Sequence, residues 1–227
     1  MSISIRQQLL HYFSDYVTDH KKGLIDEVLA QRTRHITVVL EDIYQPHNAS
    51  AVVRTCDCFG IQDMHIIENS NDYNVNPRIV HGASKWVDII KYSESDDNTK
   101  SCLSTLKEEG YKIVGTTPKK EAKSIHDLEM DQKVALAFGT ELTGLSDTAL
   151  GMAEEMVHIP MFGFTESLNI SVCAAISLNI IRSKLNKSDL DWALTEEEKQ
   201  VIKLEWFKKI VKNADLMEKE FLRSTEQ

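Results

Sequence analysis

The chain has 227 residues, of which 42% are hydrophobic and 27% charged, which suits one globular domain with short extensions and excludes a disordered or fibrous protein. Its net charge of −9 argues against a nucleic-acid partner, because Lys and Arg supply most of the affinity for phosphate backbones. The four cysteines lack metal-ligand spacing, so no metal is expected; without a charged-then-apolar leader, or an apolar run near the roughly 20 residues that cross a bilayer, the expectation is a cytoplasmic protein with no membrane partner.

Residues 3–33 read as one or two amphipathic helices broken near Gly23. A short β-branched run follows at 36–40, and others come at 64–67, 112–115, 134–138 and 156–159; all look like buried strands of a parallel sheet. Helical patterns lie between or after them at 49–59, 98–109, 146–153 and 169–185, giving an α/β sheet with helices on both faces. Cys56 and Cys58 fall in the first of these helices, where buried free thiols pack well. The helix 169–185 is apolar nearly all round, which suits burial against both the sheet and a second subunit. The last pattern, 195–221, opens with a Thr-x-x-Glu capping box at Thr195 and Glu198, and Ile202, Trp206 and Ile210 recur four apart to form an apolar face. This division assigns 1–35 to an N-terminal helical extension, 36–185 to the core domain and 186–227 to a C-terminal helical extension.

Charge is distributed unevenly over these parts. Residues 1–35 carry 5 basic and 4 acidic groups, residues 182–227 carry 10 of each, and the 146 residues between hold 11 basic against 21 acidic. The acidic excess is therefore confined to the middle, which softens the objection to nucleic acid. Basic clusters at Lys21 and Lys22, at Arg32, Arg34 and His35, at Lys119, Lys120 and Lys123, and at Lys208, Lys209 and Lys212 each read as solvated surface.

Three loops follow the carboxyl ends of strands, where open parallel sheets place ligands. In the first, EDIYQPHNASAVVR (41–54), Pro46 stops the preceding segment and Asn48 is placed as a helix N-cap. Arg54 lies on an otherwise apolar stretch and leans back toward the loop, so it needs an anionic partner or a ligand. The second loop, GTELTGLS (139–146), has glycines that permit close backbone approach; its one acid, Glu141, either favours the following helix start or pairs with Arg54. No phosphate-loop or dinucleotide glycine fingerprint occurs. In the third, IPMFGFTESLNISVCAAISLNII (159–181), Thr165, Glu166, Ser167 and Asn169 exceed what a helix cap needs, and either Ser167 or Asn169 serves as the cap. Unpaired N–H groups at that helix start favour anions or polar ligand atoms.

Together these loops resemble the SpoU or TrmH branch of the SPOUT RNA 2′-O-ribose methyltransferases. NASAVVRTCDCFGI is similar to the family's first motif, FGTELTGLS to its second and IPMFGFTESLNISVCAAI to its third, in the family's order. HGASKWV (81–87) and the flanking helices resemble those of members that methylate the D-loop guanosine at position 18 of tRNA. The resemblance implies a sheet whose carboxyl end is tied in a deep trefoil knot, an exception to the rule against threaded chains. It implies S-adenosylmethionine as cofactor, held by Thr116, Gly139, Ile159, Met161 and Leu168. It implies a catalytic group of Arg54, Asn48, Glu141, Ser167 and Asn169, in which Arg54 activates the hydroxyl with the help of a substrate phosphate; because a guanidinium stays protonated, we read its role as stabilising the developing alkoxide while positioned by Asn48, Glu141 or Asn169. It further implies a homodimer acting on RNA, most naturally tRNA. Relatives acting on ribosomal RNA or another tRNA position share this chemistry but often carry a separate N-terminal RNA-binding domain, for which residues 1–35 are too short. A non-catalytic RNA-binding module of the same fold is the alternative of another class.

Overall fold

Every residue of the run Ile36–Glu41 is buried, and this strand, β1, lies in the middle of a seven-stranded sheet. The computed structural model describes residues 3–73 and 82–225. Its other strands are β2 (Asp63–Ile67), β3 (Asp88–Tyr92), β4 (Tyr111–Thr116), β5 (Lys123–Ser124), β6 (Lys133–Phe138) and β7 (Glu155–His158). Their order is β3-β2-β1-β6-β4-β7-β5, and every neighbouring pair is parallel. The helices are α1 (Ile3–Ser14), α2 (Asp19–Leu29), α3 (Pro46–Cys58), α4 (Asn98–Glu108), α5 (Asp147–Met152), α6 (Ile170–Leu185), α7 (Glu196–Ile210) and α8 (Ala214–Thr225).

Strand side chains alternate between faces, and that period of two divides the core. Ile36, Val38 and Leu40 of β1 and Val134, Leu136 and Phe138 of β6 pack with Val52, Val53 and Cys56 of α3 and with Ala174, Leu178 and Ile181 of α6. Val39, Ala135 and Ala137 point the other way, toward Cys102, Leu103 and Leu106 of α4 and Ala149 of α5. Burial on both faces is why these strands read as unbroken apolar runs. Each fully buried Val, Leu or Ile contributes roughly 1.5–3 kcal/mol.

The two strands absent from the sequence reading lie at the sheet's edges. In β3 only Ile89 and Ile90 are apolar, between Asp88 and Lys91, and most of the strand is half-buried. The two-residue β5 pairs with β7 and has no hydrophobic signature at all. Its Lys123 bonds Glu155 of β7 at 2.9 Å, and Lys112 of β4 reaches the same carboxylate at 2.5 Å. His65 of β2 is buried beside Tyr92 of β3, with its Nδ1 3.3 Å from the phenol oxygen; burial pushes its pKa down to about 4.

The chain divides into two compact units, Thr33–Trp192 and Met1–Arg32 together with Ala193–Gln227. In the latter, Leu9, Phe13, Ile25, Leu29, Trp206 and Phe207 are buried, Arg6 bonds Glu197 at 3.1 Å, and the Arg32 guanidinium lies over the Trp206 ring. The capping box at Thr195 and Glu198 is present.

Several expectations need correction. The first helical stretch breaks before Thr18, which caps α2, rather than at Gly23, which sits inside α2; a cap outweighs the roughly 1 kcal/mol that one helical glycine costs. The last stretch is two helices, because Val211 is extended and Asn213 takes a positive φ of 60°, a conformation asparagine tolerates. Cys58 is exposed, although Cys56 is buried. Arg32 and Arg34 are not solvated surface: Arg32 is buried, and Arg34 bonds Asp63 at 2.8 Å and Asp88 at 3.4 Å. His81, the first residue of the HGASKWV stretch, lies outside the described residues.

Candidate active site

Parallel strands deliver their following loops to one end of the sheet, and three of these loops meet beside β4, β6 and β7. They enclose a cavity of about 550 Å³, within the roughly 300–1,000 Å³ range of small-molecule sites. Thr116 ends β4, Gly139 follows β6, and Ile159, Met161 and Leu168 follow β7; all five line the cavity, together with Glu141, Ser167 and Asn169. Phe138, Ile125, Val157 and Ile170 form a fully or nearly fully buried apolar part of the lining, whereas Thr117, Lys119, Glu166 and Ser167 make it polar toward solvent.

The loop 139–146 is shaped by its glycines. A side chain at Gly139 would collide with the backbone of Gly144 and Leu145 across the loop, and Gly144 itself has a φ of +74°. Thr140 and Gly144 exchange both backbone hydrogen bonds at 3.0 Å, and the Thr140 hydroxyl lies 2.7 Å from that of Thr143. The loop's far end is held by Glu41, a buried carboxylate absent from the sequence reading of the site. Its oxygens accept from the Ser146 N–H at 2.9 Å, the Ser146 hydroxyl at 2.6 Å and the Thr99 hydroxyl at 2.6 Å. Ser146 in turn caps α5 through the Ala149 N–H.

Asn169 is the cap of α6. Its Oδ1 accepts from the Ser171 N–H at 2.9 Å, while its Nδ2 donates to Oδ1 of Asn48 at 3.1 Å. Asn48 passes the chain on, its Nδ2 donating to Oε1 of Glu141. Two side-chain amides ending on a carboxylate thus join α6, α3 and the loop 139–146. Asn48 itself is not a cap: α3 begins one turn earlier, with Gln45 at the N-cap and Pro46 in the first position, leaving the buried Asn48 amide free for this link. Ser167 is exposed in the cavity's rim and caps nothing.

Arg54 departs from its expected place. It lies six residues beyond Asn48, which turns it to another side of α3; it is exposed, does not line the cavity, and forms no hydrogen bond or ion pair among the described residues. Glu141 bonds Asn48 rather than Arg54, so none of Asn48, Glu141 and Asn169 positions that guanidinium within this chain.

The helix α6 also brings residues that the sequence reading passed over. Cys173 and Ser177 line the cavity beside the predicted Asn169, and the spacing of four from 169 to 177 is the signal that places all three on one face. Burial raises the Cys173 thiol pKa, with the Ser177 hydroxyl working in the opposite direction.

The SpoU rRNA Methylase family model matches residues 35–179. The chain is 42% identical over 205 residues to the tRNA (guanosine(18)-2′-O)-methyltransferase of Borreliella burgdorferi, covering 90% of this chain and 92% of that protein. It is similar to the crystal structure of the A. aeolicus TrmH/SpoU tRNA modifying enzyme, with a TM-score of 0.75, 30% identity and coverage of 86% of this chain and 98% of that one. The fold is also that of the SpoU methyltransferase AviRb from Streptomyces viridochromogenes, a structure in complex with the cofactor AdoMet, at a TM-score of 0.59 and 20% identity over 71% of this chain and 62% of that one.

Proposed function

Because the chain belongs to the SpoU rRNA Methylase family, we infer that it is an S-adenosylmethionine-dependent methyltransferase of tRNA, acting on the ribose 2′-hydroxyl of the D-loop guanosine at position 18. The observation that carries the site assignment is the amide chain Asn169–Asn48–Glu141, which draws the three motif loops together beside one cavity.

The cavity's donor set fits the cofactor. A flat neutral ring needs an apolar wall, which Ile125, Phe138, Val157 and Ile170 provide, and a charged amino-acid portion needs a wet polar rim, which Lys119, Glu166 and Ser167 provide. Gly139, Ile159, Met161 and Leu168 would hold it mainly through backbone and apolar contacts, with Thr116 supporting from behind, since its hydroxyl already donates to the Ala137 carbonyl at 2.9 Å. When bound, the cofactor supplies a sulfonium methyl, so transfer forms an O–CH₃ bond, breaks an S–CH₃ bond and releases the hydroxyl proton.

The protein's part is alignment and charge. Glu141, Ser167 and Asn169 face the cavity and orient the ribose, while Asn48 fixes two of them. Arg54 stabilises the developing alkoxide: a guanidinium holds its proton at any physiological pH, so it acts by charge, and the proton leaves to a substrate phosphate or water. Its exposure, and its lack of any partner among the described residues, support a homodimer in which Arg54 completes the site of the other subunit. The outer side of α6, with Val172 45% exposed, gives that dimer an apolar surface. A deep trefoil knot at the carboxyl end of the sheet is part of the same reading. So is the division into a catalytic domain at 36–185 and helical extensions at 1–35 and 186–227. A reducing cytoplasm suits the four free thiols.

The test is Arg54→Ala. Methyl transfer to tRNA falls by at least about 100-fold while cofactor affinity stays within about twofold; near-normal turnover sinks the assignment. Arg54→Lys retains partial activity if charge alone matters and almost none if planar, bidentate contact does. Mixing Arg54→Ala with Gly139→Val restores activity in mixed dimers if the two residues serve one site from different subunits. Mapping the methylated ribose reports tRNA position 18, ribosomal RNA or neither.

A further inference from the structure

The hydroxyl of Ser177 is at odds with its surroundings. It is fully buried on α6 and lines the cavity, and no nitrogen or oxygen of the described residues serves it, so its one interaction is with the Cys173 thiol. A serine or threonine inside a helix can discharge its hydroxyl onto the carbonyl four residues earlier. On α3, Ser50 does so to Pro46 at 2.7 Å and Thr55 to Ala51 at 2.9 Å. Ser177 makes no such bond, and a thiol, being a weak hydrogen-bonding group, compensates poorly for the hydration that a buried hydroxyl gives up. The buried residues that share its lining, Ile125, Phe138, Leu145, Val157 and Ile170, are apolar, so apart from the Cys173 thiol little there can serve it.

A ligand group that meets this hydroxyl must be neutral, because an apolar wall of this kind makes a charge expensive to bury. It must also offer a donor or acceptor at its edge. Within S-adenosylmethionine the ammonium, carboxylate and sulfonium groups fail the first condition; the adenine ring and the ribose hydroxyls meet both, and the flat apolar faces of the ring suit this wall, where a ribose would leave a second hydroxyl to be buried. We propose that the Ser177 hydroxyl hydrogen-bonds the edge of the cofactor's adenine, making Ser177 a binding residue of this cavity. Cys173, one turn earlier on the same helix face, borders the polar spot with a thiol that bonds weakly. The proposal rests on the cofactor reading given above.

The experiment is calorimetric titration of the full-length wild type and Ser177→Ala with S-adenosylhomocysteine, alongside thermal melts of the ligand-free proteins. Ser177→Ala is expected to bind about fivefold more weakly, the loss of one neutral hydrogen bond, and to melt at the same or a higher temperature, since a poorly satisfied buried hydroxyl is gone. Titration with 5′-methylthioadenosine, which lacks the amino-acid portion, and with its 2′-deoxy and 3′-deoxy forms, each lacking one ribose hydroxyl, is expected to show the same factor. Unchanged affinity in a wild type that does bind overturns the proposal. A fall in affinity accompanied by a lower ligand-free melting temperature also overturns it, because Ser177 then only supports the wall. A penalty that vanishes with 5′-methylthioadenosine or with either deoxy form overturns the adenine assignment. A wild type that binds none of these ligands refutes the cofactor reading itself, before any variant is compared.

Discussion

The two loops that face each other across the cavity are built in opposite ways. Residues 139–146 are cross-linked by the Thr140–Gly144 backbone pair, anchored at Glu41 and tied to α3 through Glu141. Residues 160–168, opposite, form no hydrogen bond among the described residues until Asn169 caps α6, and Phe162 and Phe164 stand fully exposed, at 99% and 107%. One wall is finished within the chain; the other obtains its partners from outside it. A site for two reactants gains from this, because the finished wall supplies a fixed reference while the open one stays accessible to RNA, cofactor or a second subunit.

The sharpest way to break the finished wall is Gly139→Ala, whose added methyl has only backbone to meet. A loss of about 3 kcal/mol or more in urea denaturation is expected, together with loss of cofactor binding by calorimetry. Acid probes the fold at His65, which lies in neither wall. Unfolded His65 takes up a proton near pH 6.5 and the folded residue only near 4, so the unfolded state binds more protons in that window and stability falls with pH, by about 3 kcal/mol at pH 4. His65→Gln flattens that slope in pH-dependent denaturation. Removing the tie between the walls by Asn48→Ala costs about 2 kcal/mol and lowers methyl transfer, because the Asn169 amide and the Glu141 carboxylate lose their common partner. On the open wall, Phe162→Ser with Phe164→Ser changes stability by less than about 0.5 kcal/mol. Hydrogen exchange compares the walls directly: amides of 161–168 exchange fast without ligand, whereas those of Thr140 and Gly144 are protected.

The sequence made the sheet legible where strands are buried on both faces, since β1, β4 and β6 carry runs such as Ile36–Glu41 that water cannot accommodate. It was silent at the edges, where β3 and β5 rest on pairing rather than apolar content. The cavity-lining set was legible because Gly139, Ile159 and Leu168 belong to continuous motifs. The links between motifs were not, because a hydrogen bond such as that from Asn169 to Asn48 joins residues far apart in sequence and leaves no periodic trace. Asn48 was read as a cap because asparagine favours that role; Pro46, which prefers the first helical position, moved the helix start and freed the amide. Arg54 was read as core-facing from its apolar neighbours Val52, Val53 and Cys56, yet a helix carries exposed positions between buried ones, and the residue types around Arg54 do not fix its own direction. Glu41, an acid ending a buried strand, gave no sign that two hydroxyls and an amide would satisfy it.

The two-residue β5 has a meaning beyond the chain's own stability. An open sheet presents a row of unpaired amides and carbonyls along its outermost strand, a template onto which a foreign strand can dock. Here β5 covers part of the outer side of β7 but is too short to offer a new ladder of its own, and its Lys123 is engaged by Glu155. An incoming strand would have to displace an ion pair for almost no backbone pairing in return, so this border resists aggregation at the concentrations reached during synthesis.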